Sequence, residues 1–136
     1  MILVDTGPLV ALHDADDADH ETCVKVLKQS PVEPLLTTWI CFTEAMYLLG
    51  NAGGHRHQSA LCRLYSTERL ILHDLTRTEA TRMEALMAKY HDTPMDLADA
   101  SLIVAAESLG FHRIFTLDSD FYVYRLADGS ALEVIP

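Results

Sequence analysis

Ile2-Leu3-Val4-Asp5-Thr6-Gly7-Pro8 decides how this chain is read. Three consecutive apolar residues form a short run of the buried-strand type, Gly7 permits a tight turn, and Pro8 suits the first turn of a helix. The predicted opening is strand, turn, helix, with Asp5 at the carboxyl end of the strand. The same alternation continues along the chain. His13 to Asp19 reads as a loop of solvated acids with Asp19 as an N-cap, followed by a helix that carries Val24 and Leu27 and ends before Pro31. Pro34 to Thr38 is a second strand, and Trp39 to Leu49 a helix stopped by Gly50 and the Gly53-Gly54 pair. A further helix runs from about His55 to Tyr65, then come a strand at Leu70-Ile71-Leu72 and a helix from Thr78 to Tyr90. Thr93-Pro94-Met95-Asp96 reads as the capped start of a helix lasting to Leu109, which Gly110 terminates. Arg113 to Leu117 is a strand, Asp118 to Arg125 an irregular or short helical segment, and Ala131 to Ile135 the last strand. Short strands alternating with helices predict an α/β fold of three layers, with helices on both faces of a mostly parallel sheet.

The chain has 136 residues, 49% hydrophobic and 22% charged, a globular composition of the size of one domain spanning residues 1–136. The amino terminus lacks the basic and apolar regions of a signal peptide, and no apolar run approaches membrane-spanning length, so the expected location is the cytoplasm. Cys23, Cys41 and Cys62 lack the close pairs of a zinc site or a disulfide framework and are read as reduced, mostly buried packing residues. The formal net charge is −10, and lysine occurs only at Lys25, Lys28 and Lys89. That balance excludes a broad basic surface for nucleic acid, yet bound cations reverse the local sign of an acidic centre.

Four acids occupy positions that ordinary packing does not require. Asp5 and Asp118 each follow a strand, where active sites of parallel α/β sheets lie, although each taken alone also fits a turn residue or helix cap. Glu44 has Ile40, Cys41, Tyr47 and Leu48 as its helical neighbours, and Asp99 has Met95, Asp96, Leu102 and Ile103, so both are predicted on inward stripes. A carboxylate placed inward is protonated, paired with a base, or bound to metal. Asp96 fits a capping role and a ligand role equally, and Asp120 belongs to the turn after Asp118. Hard oxygen donors select Mg²⁺ or Mn²⁺. The histidines form no metal or triad motif: His55 and His57 sit two apart in a Gly-rich turn, and the others are scattered and read mostly as surface residues.

With these residues in place, the chain resembles the PIN-domain family and, within it, the VapC-type toxins of toxin-antitoxin pairs. The resemblance rests on Ile2 to Val10, on Thr43-Glu44, on Met95-Asp96-Leu97-Ala98-Asp99-Ala100 and on Phe115-Thr116-Leu117-Asp118-Ser119-Asp120-Phe121, and it covers nearly the whole length. It implies a PIN-like α/β/α fold and a Mg²⁺- or Mn²⁺-dependent endoribonuclease whose acids match Asp5, Glu44, Asp99 and Asp118. Thr6 and Thr116 match supporting positions. It also implies a homodimer and an antitoxin that inserts a segment near the site. The strong negative charge departs from what a protein gripping RNA would carry, which leaves Arg56, Arg63 and Arg125 as local contributors.

Two other classes compete. A dehalogenase-type phosphatase would need a second Asp where Gly7 stands, and a receiver domain would need a Lys on a late strand, whereas none occurs after Lys89. A non-catalytic PIN-like module that binds RNA or protein needs none of the acids.

Overall fold

A computed structural model of the chain describes residues 1–30 and 32–136. Pro31, expected to stop the second helix, lies outside the described residues. Five strands, β1 (Ile2–Val4), β2 (Leu35–Thr38), β3 (Leu70–His73), β4 (Arg113–Phe115) and β5 (Glu133–Ile135), form one sheet in the order β3-β2-β1-β4-β5, every pair parallel. The connections carry helices α1 (Thr6–His13), α2 (His20–Gln29), α3 (Trp39–Gly53), α4 (His55–Ser66), α5 (Arg77–Lys89) and α6 (Leu97–Leu109), and a 3₁₀ turn at Ser119–Tyr122 comes after β4. Among the described residues no helix is long and apolar enough to cross a membrane.

Side-chain alternation on the strands feeds two cores. Ile2, Val4, Leu35 and Phe115 pack with Leu9, Phe42, Ala45, Leu49 and Leu61 on the α1, α3 and α4 side. Leu3, Leu36 and Ile114 point the other way, against Met83, Leu86 and the long buried run Ala98 to Ala106 of α6. Continuous apolar strands with helices on both faces are the predicted three-layer architecture. Polar residues inside it are bonded: Thr37 Oγ1 donates to the Val4 carbonyl at 2.7 Å, and the Thr38 and Ser101 hydroxyls share a 2.7 Å bond between β2 and α6.

Several boundaries differ from the sequence reading, each for a local reason. No turn separates β1 from α1: Asp5 itself caps the helix, accepting from the Thr6 amide at 2.7 Å, so Gly7 and Pro8 lie inside the first turn. α3 runs through Gly50 to Gly53. Gly50 is where Gln58 of α4 approaches, its amide donating to the Met46 carbonyl at 3.1 Å, and a β-carbon there would meet that amide. The break falls at Gly54, whose φ of 70° suits glycine. Thr93 does not cap α6, because the Thr93 and Met95 amides both return to the Tyr90 carbonyl and close the end of α5. Asp96 is the N-cap instead, accepting from the Asp99 amide at 2.8 Å. Strands β4 and β5 are shorter than predicted, and α2 turns Cys23 inward while Leu27 stays exposed. Cys41 is buried like Cys23, whereas Cys62 is exposed.

The histidines divide. His55, His91 and His112 are exposed, but His13, His20, His57 and His73 are half-buried rather than surface residues. The ring nitrogens of His13 and His20 bond the Leu9 and Ala11 carbonyls at 2.7 and 2.6 Å. His73 bonds the buried Glu79 carboxylate at 2.7 Å, which also accepts from the Thr76 amide and the Ser108 hydroxyl at 2.9 Å each. Burial alone raises the Glu79 carboxyl, but the bonds from His73, the Thr76 amide and Ser108 prevail and hold it at about 2. Glu79 thus completes the capping box of α5 and ties it to β3 and α6. Glu79→Ala, which strands three donors, is expected to cost about 2–3 kcal/mol in urea unfolding at neutral pH; an unchanged midpoint would show that these bonds contribute nothing net.

Candidate metal centre

The order β3-β2-β1-β4-β5 reverses direction at β1, so the connections leaving β1 and β4 diverge and open a crevice beyond their carboxyl ends. A cleft of about 600 Å³ lies there, and Asp5, Glu44, Asp96, Asp99 and Asp118 line it, joined by Asp17 and Asp19 from the loop between α1 and α2. From the sequence alone, Asp17 and Asp19 are ordinary solvated loop acids. All four acids singled out from the sequence therefore face one cleft, although they lie up to 113 positions apart in the chain (118 − 5).

Asp5 sits deepest. It ends β1, is 7% exposed, and is fixed from both sides: the Thr6 amide reaches Oδ1 at 2.7 Å and the Thr116 hydroxyl reaches Oδ2 at 2.8 Å. Burial pushes its carboxyl up to about 6, against the lowering effect of those two bonds and with help from the charges of Asp118 and Glu44. Asp99, in the first turn of α6, is equally buried at 7% exposure. Desolvation raises it to about 7; the hydrogen bond from Tyr124 opposes that rise, and Asp96, Asp5 and Asp118 add to it.

Asp118 is half-buried; because β4 stops at Phe115, it stands three residues past the strand end predicted for it and caps the 3₁₀ turn. Its amide donates to Thr116 Oγ1 at 3.0 Å, and its Oδ1 accepts from the Asp120 amide at 2.9 Å. Asp120 thus closes the turn after Asp118, as predicted. Glu44 departs from the predicted inward stripe: it is exposed, and of its four apolar helical neighbours Tyr47 and Leu48 are exposed too, at 69% and 41%. The core stripe of α3 is Cys41, Phe42, Ala45 and Leu49, so Glu44 stands at the rim of the cleft rather than in the core. Asp96 combines capping with a place in the lining.

Among the described residues, no Lys, Arg or His forms an ion pair with Asp5, Glu44, Asp99 or Asp118. Buried carboxyls without a cation are either protonated or compensated from outside the chain. The donors are all oxygens, which suits a hard divalent cation. Among the described residues, no three Asp, Glu, His or Cys side chains converge closely enough to enclose an ion by themselves. The chemistry of the donors, all carboxylate oxygens, fits a hard divalent cation.

Arg56 and Arg63 are exposed on α4, and neither they nor Arg125 line the cleft. The Arg125 guanidinium turns back to the Tyr122, Val123 and Tyr124 carbonyls at 2.7, 3.1 and 2.9 Å. One contact has no signature in the sequence: Tyr124, whose hydroxyl donates to Asp99 Oδ2 at 2.9 Å. No periodicity in an irregular segment relates it to Asp99.

Sheet and cleft together define a parallel α/β protein with an acid-lined crevice at its strand ends. The PIN domain family model matches residues 2–126, and the chain belongs to that family. It is 26% identical to Ribonuclease VapC26 of Mycobacterium tuberculosis over 136 residues, covering 99% of this chain and 100% of the relative. In structure it is similar to the VapC20 toxin of the same organism, described as cleaving the sarcin-ricin loop, with a TM-score of 0.86, 22% identity and full coverage of both chains. A toxin-antitoxin complex from Klebsiella pneumoniae aligns with a TM-score of 0.63 and 18% identity, covering 100% of this chain and 97% of the other.

Proposed function

We propose that this protein is a Mg²⁺- or Mn²⁺-dependent endoribonuclease, folded as one domain over residues 1–136, and that it serves as the cytoplasmic toxin of a toxin-antitoxin pair. The observation that carries the proposal is two buried carboxyls, Asp5 and Asp99, raised by desolvation and lacking any ion-pair partner among the described residues, in a cleft that Glu44 and Asp118 also line. The likeness to a ribonuclease along the whole chain supports the same reading. Similarity to a toxin-antitoxin complex supports a protein partner; that this partner inserts a segment near the cleft, and that the chain forms a homodimer, are parts of the proposal.

Asp5 and Asp99 are assigned as the main direct ligands, with Glu44 and Asp118 holding a second ion or acting through water. When bound, the metal supplies Lewis acidity, polarising a phosphoryl oxygen and making water a stronger nucleophile at neutral pH. The chain's own contribution is orientation. Thr116 and the Thr6 amide hold both oxygens of Asp5, the Asp120 amide holds one oxygen of Asp118, and the turn that begins at Asp118 forms one wall of the cleft. Fixed ligands of this kind lose little freedom when substrate arrives.

Incubating the protein with structured RNA in Mn²⁺ or Mg²⁺ is expected to yield discrete fragments with 5′-phosphate and 3′-hydroxyl ends, and none in EDTA. Fragments with 2′,3′-cyclic phosphate ends, or equal cleavage in EDTA, would refute the metal-dependent mechanism. A chain that neither binds metal nor cleaves RNA would turn the reading to a non-catalytic binding module.

A further inference from the structure

Tyr124 lies outside every motif used above, yet among the described residues it is the side chain that hydrogen-bonds the Asp99 carboxylate. It is 1% exposed, and its hydroxyl donates to Asp99 Oδ2 at 2.9 Å. Its ring is held edge-on by Phe121 and Tyr90, with centroids 5.1 and 5.2 Å away. The backbone that carries it is pinned as well. The Tyr124 amide returns to the Asp120 carbonyl at 3.3 Å, and the Arg125 amide donates to the Tyr90 hydroxyl at 3.0 Å.

One short segment therefore controls three of the four acids. Thr116 bonds Asp5, Asp118 belongs to the segment itself, and Tyr124 bonds Asp99. We propose that Tyr124 is a positioning residue: by occupying Asp99 Oδ2 from the protein side, it leaves Oδ1 as the oxygen that faces the cleft and couples the placement of Asp99 on α6 to that of Asp118 after β4. Partners of this kind around metal-ligating carboxylates govern affinity because they fix which lone pairs the ion meets. A phenol suits the task, since its O–H donates to a carboxylate oxygen while its ring fills the core.

This inference rests on the proposed metal centre, and the test separates the two. Mn²⁺ affinity is measured by calorimetry on the full chain for the wild type, Tyr124→Phe and Phe121→Leu, with metal-free Tm and the KM for RNA recorded alongside. Tyr124→Phe keeps the ring and removes only the hydroxyl. It is expected to weaken Mn²⁺ binding by about 10-fold or more, with the KM for RNA at saturating metal unchanged. Phe121→Leu loosens the ring's packing but keeps the Tyr124 hydroxyl and the bond from the Arg125 amide to Tyr90, so it should lower Tm and leave the Mn²⁺ Kd near that of the wild type. Unaltered Mn²⁺ affinity in Tyr124→Phe overturns the positioning role while the metal centre stands. Equal losses of affinity in the two variants overturn it as well, since packing alone would then account for the effect. A wild-type chain that binds no Mn²⁺ overturns both readings.

Discussion

Asp5→Asn is expected to abolish RNA cleavage, by about 10³-fold or more, and at the same time to make the metal-free protein more stable. The loss is expected if Asp5 is a direct ligand, because several kcal/mol of charge stabilisation vanish with the anion and each 1.4 kcal/mol is tenfold in rate. The gain has a separate cause. The Asp5 carboxyl stands at about 6 against an ordinary 3.8, so ionising it above that point in the folded chain works against desolvation and neighbouring charge. A shift of that size corresponds to roughly 3 kcal/mol at pH 8. Asparagine keeps the N-cap, since its carbonyl still accepts from the Thr6 amide, and Asn and Asp are equally good in that position. Part of the gain is lost at Thr116, whose hydroxyl already accepts from the Asp118 amide and must now face an amide instead of a carboxylate. A net stabilisation of about 1–2 kcal/mol, or several degrees in Tm, remains. Thermal unfolding in EDTA at pH 8, paired with an RNA cleavage assay in Mn²⁺, reads both effects. Retained cleavage would remove Asp5 from the site, and a lowered metal-free Tm would show that its charge is already compensated within the chain.

Acidifying the metal-free protein from about pH 7 to pH 4 should raise its Tm, the reverse of common acid denaturation. In the folded chain the Asp5 and Asp99 carboxyls stand at about 6 and about 7, while unfolded Asp titrates near about 3.9. Between those limits the folded state binds more protons than the unfolded state. Stability therefore falls as pH rises through the window and levels off above about 7. Below about 4 both states hold the protons and the contribution is complete. Glu79 has the opposite sign, because its carboxyl is held at about 2. Its contribution is present above the unfolded Glu value of about 4.3 and fades as pH falls through about 2, outside the window that Asp5 and Asp99 govern. Mg²⁺ or Mn²⁺ at pH 7.5 should restore what deprotonation removes, by about 2.7 kcal/mol when the ion is at 100 times its Kd. A metal-free Tm that falls on acidification from pH 7 to 5, together with no response to either ion at pH 7.5, would contradict the assignment of both carboxyls.

The amino-acid sequence by itself determined the layered parallel fold and the position of Asp5, because runs such as Ile2-Leu3-Val4 and Ile114-Phe115 report burial on both sheet faces and Asp5, directly after one of them, stands at a strand end; Asp118, read the same way, comes three residues after β4 and caps a 3₁₀ turn. Asp99 is legible for a similar reason, in a helix whose surrounding residues are almost all apolar. Only the tertiary structure decided the orientation of α3, which carries two apolar stripes. Hydrophobic spacing cannot say which of Ile40-Tyr47-Leu48 and Cys41-Ala45-Leu49 meets the sheet, so Glu44 reads as inward from the sequence although it stands at the rim. The helix boundaries at Gly50 and Thr93 are settled likewise by the approach of Gln58 and by the return of the chain to the Tyr90 carbonyl. The bond from Tyr124 to Asp99 belongs to the same class, since it joins an irregular segment to a helix across the core and no local pattern encodes a contact made by chain closure.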